Sequence, residues 1–312
     1  MDDRVKTQLE RRLGVLHARQ RLGIESEIKP AVFRKGMNYF HPENWYSLRT
    51  ILNVLLRITG LYWRCRKNTL AIKVRENTLV LPQLPAAFDG YKILHITDPH
   101  VDMYDAALHA LIEVIRPLDY DLCVLTGDYR GETSGPIDAS MRGMEQLSCH
   151  ISQPMYAVLG NHDSIRMVPA LEAAGIQLLI NESVTLKKGS ASLYLAGIDD
   201  AHYYRVDNIE KAASGLEDTI PSILLSHTPE VYRQAAHAGF NAMLCGHTHG
   251  GQMCLPGGYP LTIDANCPRY MAAGLWRYHK MQGYTSTGAG TSIIPARLNC
   301  PPEVVIHRLK AG

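Results

Sequence analysis

The chain has 312 residues, of which 46% are hydrophobic and 20% charged, enough apolar material for a full globular core. A formal net charge of +2 gives no whole-chain signal for a nucleic-acid partner. The seven cysteines are scattered, odd in number and never spaced C-x-x-C, which argues against a disulfide framework and for a reducing compartment.

The opening "MDDRVKTQLERRLGVLHARQ" has no apolar h-region, and the twin arginines Arg11-Arg12 are not followed by one. The expectation is a cytoplasmic location. Residues 3–28 carry Val5, Leu9, Leu13 and Leu16 at helical spacing and read as an amphipathic helix docking on the body. Pro30 and "VFRKGMNYFHPEN" break that pattern.

The stretch "NWYSLRTILNVLLRITGLYWRCRK" (44–67) sets Arg49, Asn53, Arg57, Gly60 and Arg64 on one stripe of a helix, opposite a broad apolar face. Trp45, Tyr46, Tyr62 and Trp63 bracket it, and its arginines exclude a bilayer span. Two readings stay open. The helix lies on a membrane surface with its arginines toward lipid phosphate, peripheral on the cytoplasmic face of the inner membrane; or it packs on the protein's own core or in a dimer. Residues 1–68 are read as an N-terminal helical extension, whether lid, anchor or dimer interface, and residues 69–312 as the main domain. Oligomeric state has no signature in the sequence.

From about Thr69 the period becomes strand-like, with "LAIKVRENTLVLPQLP" placed around a turn at Glu76-Asn77. Repeated units of strand, loop and helix follow. "YKILHITD", "YDLCVLTGD", "MYAVLGNHD", "SLYLAGIDD", "SILLSHTPE" and "NAMLCGHTHGG" are apolar runs of the kind that fill a buried sheet, with helical "DAALHALIEVIRPL" and "SIRMVPALEAAG" between them. Later segments, "GGYPLTIDANC", "QGYTSTGAG" and "EVVIHRL", are richer in β signals. By itself this alternation predicts an α/β class.

Polar residues gather where the runs stop, at the strand ends where α/β sheets hold ligands: Asp98, His100, Asp128, Asn161, His162, His227, His247 and His249. Each has an ordinary explanation alone. Five successive runs delivering imidazole, carboxylate or carboxamide to the same kind of place do not, because buried polar groups are costly unless paired or bound. Mixed nitrogen and oxygen donors suit Mn²⁺, Fe or Zn²⁺ and not Ca²⁺, and the lack of cysteine excludes a Cys-type structural zinc site. The set is too large for one tetrahedral ion and right for two divalent metal ions sharing a carboxylate, the arrangement that clamps an in-line phosphoryl displacement.

"TDPHVD", "LTGDY", "LGNHD", "LSHTP" and "CGHTHGGQ", in this order, resemble the five blocks of the calcineurin-like metallophosphoesterase family. The resemblance runs from about Leu84 to Leu309, and "RLNCPPEVVIHRL" is similar to the last strand region of the bacterial YkuE/YaeI-like phosphodiesterase subgroup. It implies a four-layer α/β/β/α sandwich over 69–312. It further implies one metal held by Asp98, His100, Asp128 and His249, and a second by Asp128, Asn161, His227 and His247. His162 would touch substrate, with Asp163 orienting its imidazole.

The implied activity is hydrolysis of a phosphodiester or pyrophosphate bond by metal-activated hydroxide. The substrate is a phosphoester, lipid-linked if the 44–67 helix meets a membrane, as UDP-2,3-diacylglucosamine is. The rivals are a generic phosphodiesterase on soluble substrates and, in another class, a non-catalytic metal-binding interaction module. Pro99 departs from the leucine usual in the first block. Arg130 either reaches a substrate phosphate or pairs with Glu132. Gly250 and Gly251 read as backbone relief after the last ligand. Asp199, Asp200 and His202 read as a solvated loop or as shapers of the pocket.

Overall fold

The structure, a computed structural model, describes residues 3–27 and 48–312. The expected break at Pro30 and the aromatic residues Trp45 and Tyr46 lie outside them. The first helical stripe forms two helices, α1 (Asp3–Leu13) and α2 (Val15–Glu27), divided at Gly14, whose φ of +86° ends the first. Leu9, Leu13, Ala18 and Leu22 pack into the core below. Leu16 falls off this face and is exposed, because the break at Gly14 resets the helical phase.

The 44–67 segment is not one helix either. Gly60, at φ +71°, separates α3 (Leu48–Ile58) from α4 (Tyr62–Asn68). Leu56 and Cys65 are buried against Ile294 and Ala296. Ile51, Val54, Leu55 and Ile58 line the outer side of α3 and stay exposed, as does Trp63 at 78%. Among the described residues no helix is long and apolar enough to cross a membrane.

Two six-stranded mixed sheets form the body, and β10 (Cys254–Leu255) and β11 (Tyr259–Pro260) make a separate two-stranded pair. The first runs β1 (Lys73–Leu81), β14 (Glu303–Ala311), β2 (Lys92–Ile96), β3 (Leu122–Leu125), β4 (Met155–Ala157) and β5 (Ile176–Leu178). The second runs β12 (Gly274–Tyr278), β13 (Met281–Thr285), β9 (Ala242–Cys245), β8 (Ser222–Leu225), β7 (Ala191–Gly197) and β6 (Glu182–Lys188). The turn expected at Glu76-Asn77 is absent: β1 is continuous because it pairs in parallel with β14 along its whole length, Glu76 opposite Ile306 and Asn77 opposite His307.

Strand alternation sorts the side chains into layers. On β3, Leu122 and Val124 enter the core between the sheets, while Cys123 and Leu125 face outward under helices. On β9, Ala242 and Leu244 point between the sheets and Met243 and Cys245 outward. Helices α1, α2, α5 (Asp105–Ile115), α6 (Asp138–Ser148) and α7 (Val168–Ala173) cover the first sheet. The shorter α8 (Ile209–Ala212) and α9 (Tyr232–His237) cover the second. The order helix, sheet, sheet, helix is the four-layer α/β/β/α sandwich. Strands β2, β3 and β4 of one sheet and β8 and β9 of the other end at the same edge.

Candidate metal centre

Every strand-end residue picked out above is buried at that edge. Two groups of donors form there, Asp98 with His100 and His249, and Asp128 with His227 and His247; within each, the donor atoms all lie within 4.8 Å of one another. Asn161 joins the second, its Oδ1 3.0 Å from His227 Nε2. The group built on β2 receives His249 from the other sheet, and the group built on β3 receives both of its histidines from there.

The backbone at these turns is unusual. Asp98 (φ 49°), His100 (40°), Asp128 (57°), His247 (71°) and His249 (49°) all adopt left-handed conformations that cost ordinary residues of the order of 1–3 kcal/mol each. Close approach explains a neighbouring glycine. A Cβ on Gly246 would stand 2.3 Å from Asp98 Oδ2 and 2.1 Å from Thr97 Oγ1. Gly250 and Gly251, expected as relief after the last ligand, sit at φ 57° and 83°.

Hydrogen bonds on the far side of three imidazoles fix which nitrogen faces inward. His100 Nδ1 donates to the Arg130 carbonyl, His247 Nε2 donates to the Asp264 carbonyl, and His227 Nδ1 donates to the Thr126 carbonyl at 2.7 Å. Each ring, when neutral, therefore turns a bare nitrogen toward the cluster. His227 Nε2 and His247 Nδ1 stand 3.2 Å apart, and with both rings neutral neither has a proton to share. Neutral imidazoles facing buried carboxylates make a candidate cation site, and the mixed nitrogen and oxygen donor set fits a divalent transition metal.

Without a cation, the buried carboxylates draw positive charge onto the imidazole nearest them. Burial alone would lower His227, yet Asp128 with its Oδ2 3.2 Å from Nε2 pushes its pKa up to about 10. Burial resists the charge on Asp128, and His227 and His162 outweigh it, holding that carboxyl well below its usual range. His249 is driven well below the ordinary imidazole range by burial and by the Arg297 guanidinium. It is held uncharged, as a ligand must be.

His162 belongs to neither donor group. Its backbone N–H donates to Asp128 Oδ1 at 2.9 Å, its Nδ1 faces Thr133 Oγ1 at 3.1 Å, and its Nε2 lies 3.9 Å from Asp128 Oδ2. The expectation for Asp163 needs correction. Its carboxylate accepts the backbone N–H groups of Asp128 (2.7 Å), Tyr129 (2.9 Å) and Gly160 (2.8 Å), which rivets the β3 turn to the β4 turn. Backbone amides have taken up the carboxylate that was expected to orient the His162 ring.

Arg130 does not pair with Glu132. It is buried, and its Nη2 donates to the carbonyls of Ser134 (2.9 Å) and Gly135 (3.2 Å), tying down its own loop. Glu132 pairs with Arg49 of α3 instead, at 2.5 Å. Asp199, Asp200 and His202 do not form a solvated loop. All three are buried, with His202 Nδ1 3.2 Å from Glu230 and its ring centroid 4.1 Å from that of His247.

Sequence reading missed Arg297. Fully buried, it donates to the carbonyls of Thr287, Gly290 and His249, and its Nη2 lies 3.2 Å from His249 Nδ1. It thereby ties the loop after β13 to His249. A signal was present: Arg297 is the only charged residue between Lys280 and Glu303.

Known proteins match this arrangement. The calcineurin-like phosphoesterase family matches residues 91–251, which hold all the strand-end residues described here. The metallophosphoesterase YkoQ of Bacillus subtilis is 28% identical over 277 residues, covering 85% of this chain and 100% of that protein. The metallophosphoesterase YkuE of the same organism is 29% identical, covering 77% of this chain and 86% of its own length. The phosphodiesterase YaeI of Escherichia coli is 28% identical, covering 70% and 82%. With the family match covering half of the chain and every block of the site, the chain belongs to the calcineurin-like phosphoesterases and is a metal-dependent hydrolase.

Proposed function

We propose that the chain hydrolyses a phosphodiester or pyrophosphate bond at two divalent metal ions, Mn, Fe or Zn. Asp98, His100, Asp128 and His249 hold one, and Asp128, Asn161, His227 and His247 the other, with Asp128 shared. The observation that carries this reading is the pair of buried donor groups with bare imidazole nitrogens turned toward each other.

When bound, the metals supply Lewis acidity, acidifying a water and neutralising charge on the phosphoryl oxygens. The protein's own part is to place protons and exclude solvent. His162, with Nδ1 against Thr133, presents Nε2 to the substrate and donates a proton to the leaving oxygen. Arg297 and Asp163 keep the ligand turns in place, and Asn161 offers an oxygen without adding negative charge.

For the substrate we infer a lipid-linked phosphoester, an acylated sugar nucleotide such as UDP-2,3-diacylglucosamine, met at the cytoplasmic face of the inner membrane. Support comes from helices α3 and α4. The exposed stripe Ile51, Val54, Leu55 and Ile58, with Trp63 beyond it and Arg57 and Arg64 nearby, has the make-up of a helix that lies in a headgroup layer.

The deciding experiment is hydrolysis of a chromogenic diester with Mn²⁺ and with chelator, followed by a screen that includes acylated UDP-glucosamine. Two bound metals without turnover on any ester would mark a metal-binding module instead of an enzyme. Vesicle sedimentation of wild type and an Ile51/Leu55/Ile58→Ser variant tests the lipid-linked part, and equal binding would remove it.

A further inference from the structure

Helix α2 lies outside residues 91–251, yet it grips the loop that carries His162. Arg21, fully buried, donates from Nη2 to the carbonyl of Asp163 at 2.9 Å. One turn further on, Glu25 accepts the hydroxyl of Ser164 and the backbone N–H of Ile165, both at 2.7 Å. Three consecutive residues after His162 are thus held by a single turn of one helix.

The grip is anchored on its far side. Arg21 Nη1 is 3.2 Å from Glu25, its Nε is 3.6 Å from Asp199, and its guanidinium stacks 3.2 Å over the Tyr204 ring. Asp199, in the loop after β7, also meets His17 Nε2 at 2.9 Å. Burial opposes the guanidinium charge, and Asp199 and Glu25 outweigh it, keeping Arg21 ionised. A buried charge cluster of this kind is a poor source of stability, since apolar groups of equal volume often do as well or better. What it does supply is a single fixed arrangement of the groups it touches.

We propose that Arg21 and Glu25 are positioning residues of the hydrolytic site: they hold residues 163–165 from behind, so that His162 presents Nε2 to the cluster. The N-terminal helix pair is then part of the catalytic apparatus and not an appendage. This rests on the reading of His162 as the group that meets the substrate.

The test uses the full chain loaded with Mn²⁺ and a chromogenic phosphodiester, with metal content and melting temperature measured alongside. Variants are Arg21→Met, Arg21→Lys, Glu25→Gln and Arg12→Met. Arg12 docks the same helix pair through Glu172 (2.6 Å) and Glu182 (2.7 Å), away from the loop. Arg21→Met and Glu25→Gln should lower kcat roughly ten- to a hundredfold, with KM within about twofold and metal content unchanged, as when a catalytic group moves by about 1 Å. Arg21→Lys should recover part of the rate, and Arg12→Met should lower the melting temperature while keeping kcat.

Intact kcat in folded Arg21→Met and Glu25→Gln overturns the proposal, and so does an equal kcat loss in Arg12→Met. If Arg21→Met does not fold, the kcat of Glu25→Gln decides alone. Combining each change with His162→Ala isolates the route. The second loss should vanish in the double variant, whereas full additivity overturns the proposal. Wild-type turnover in His162→Ala alone overturns the underlying reading of His162, whatever the α2 variants do.

Discussion

His100 Nε2 and His249 Nε2 lie 3.1 Å apart in the interior, and His100 has already committed its ring proton to the Arg130 carbonyl. Close donor atoms beside the buried Asp98 are relieved by a cation, so metal binding stabilises the folded chain. Stripping the metals with a chelator should lower the melting temperature by about 4 °C for each ion, the shift expected when a ligand at about a hundred times its Kd is lost from a chain of this size. Calorimetry with and without chelator, and on re-addition of Mn²⁺, checks this. An unchanged transition would mean that the donors are satisfied without metal.

The Asp163 carboxylate ties two ligand turns together through three backbone amides. Replacing it by asparagine sets an NH₂ against N–H donors, and each amide left without an acceptor costs about 1–3 kcal/mol. Asp163→Asn should therefore lose about 3 kcal/mol in denaturant unfolding and bind metal less tightly. If metal affinity holds while stability falls, the rivet serves the fold alone.

Gly246 leaves no room for a methyl group beside Thr97 and Asp98. Gly246→Ala must push the Asp98 carboxylate aside, and turnover should fall by about a hundredfold or more, in line with a displacement of about 1 Å at reacting groups. Metal analysis should show loss from the site built on Asp98 first. Retention of both metals with normal turnover would contradict the close approach.

His95 is buried beside His307, with Nδ1 3.2 Å from His307 Nε2 and Nε2 2.8 Å from Thr126 Oγ1, and burial pushes its pKa down to about 3. Above pH ~6.5 the imidazole is neutral in both folded and unfolded chains. As pH falls from there toward 3, only the unfolded chain takes up the proton, so stability is lost across that window. The slope is about 1.4 kcal/mol per pH unit for this residue. Melting temperatures of metal-free protein between pH 7.5 and 5 should fall, and fall less steeply in His95→Gln. Equal slopes would show that His95 takes up a proton in the native state.

The strand runs and their polar ends were readable because each motif is local: an apolar run of strand length, then ligand-type side chains. The blocks from Asp98 to His249 could be placed at strand ends from the residue order, and their gathering at one edge followed from the family resemblance. What escaped were features set by conformation at single residues or by distant partners. Gly14 and Gly60 divide helices that periodicity alone would continue, because a hydrophobic stripe carries no record of φ. Glu76-Asn77 looks like a turn until β14, over two hundred residues later, pairs with it. Arg130, Asp163 and Asp199 kept the right neighbourhood and changed partners. A charged side chain takes whichever buried backbone group or counter-ion lies closest, and only the fold determines which that is.

The left-handed backbone at Asp98, His100, Asp128, His247 and His249 carries a consequence for anyone reading substitutions at these positions. An alanine there removes a donor atom and must still accept a dihedral that its Cβ resists, whereas a glycine removes the same donor and relaxes the turn. Comparing the two at one position divides the loss into a share owed to coordination and a share owed to shape. At these turns glycine, usually the disruptive choice, is the milder probe.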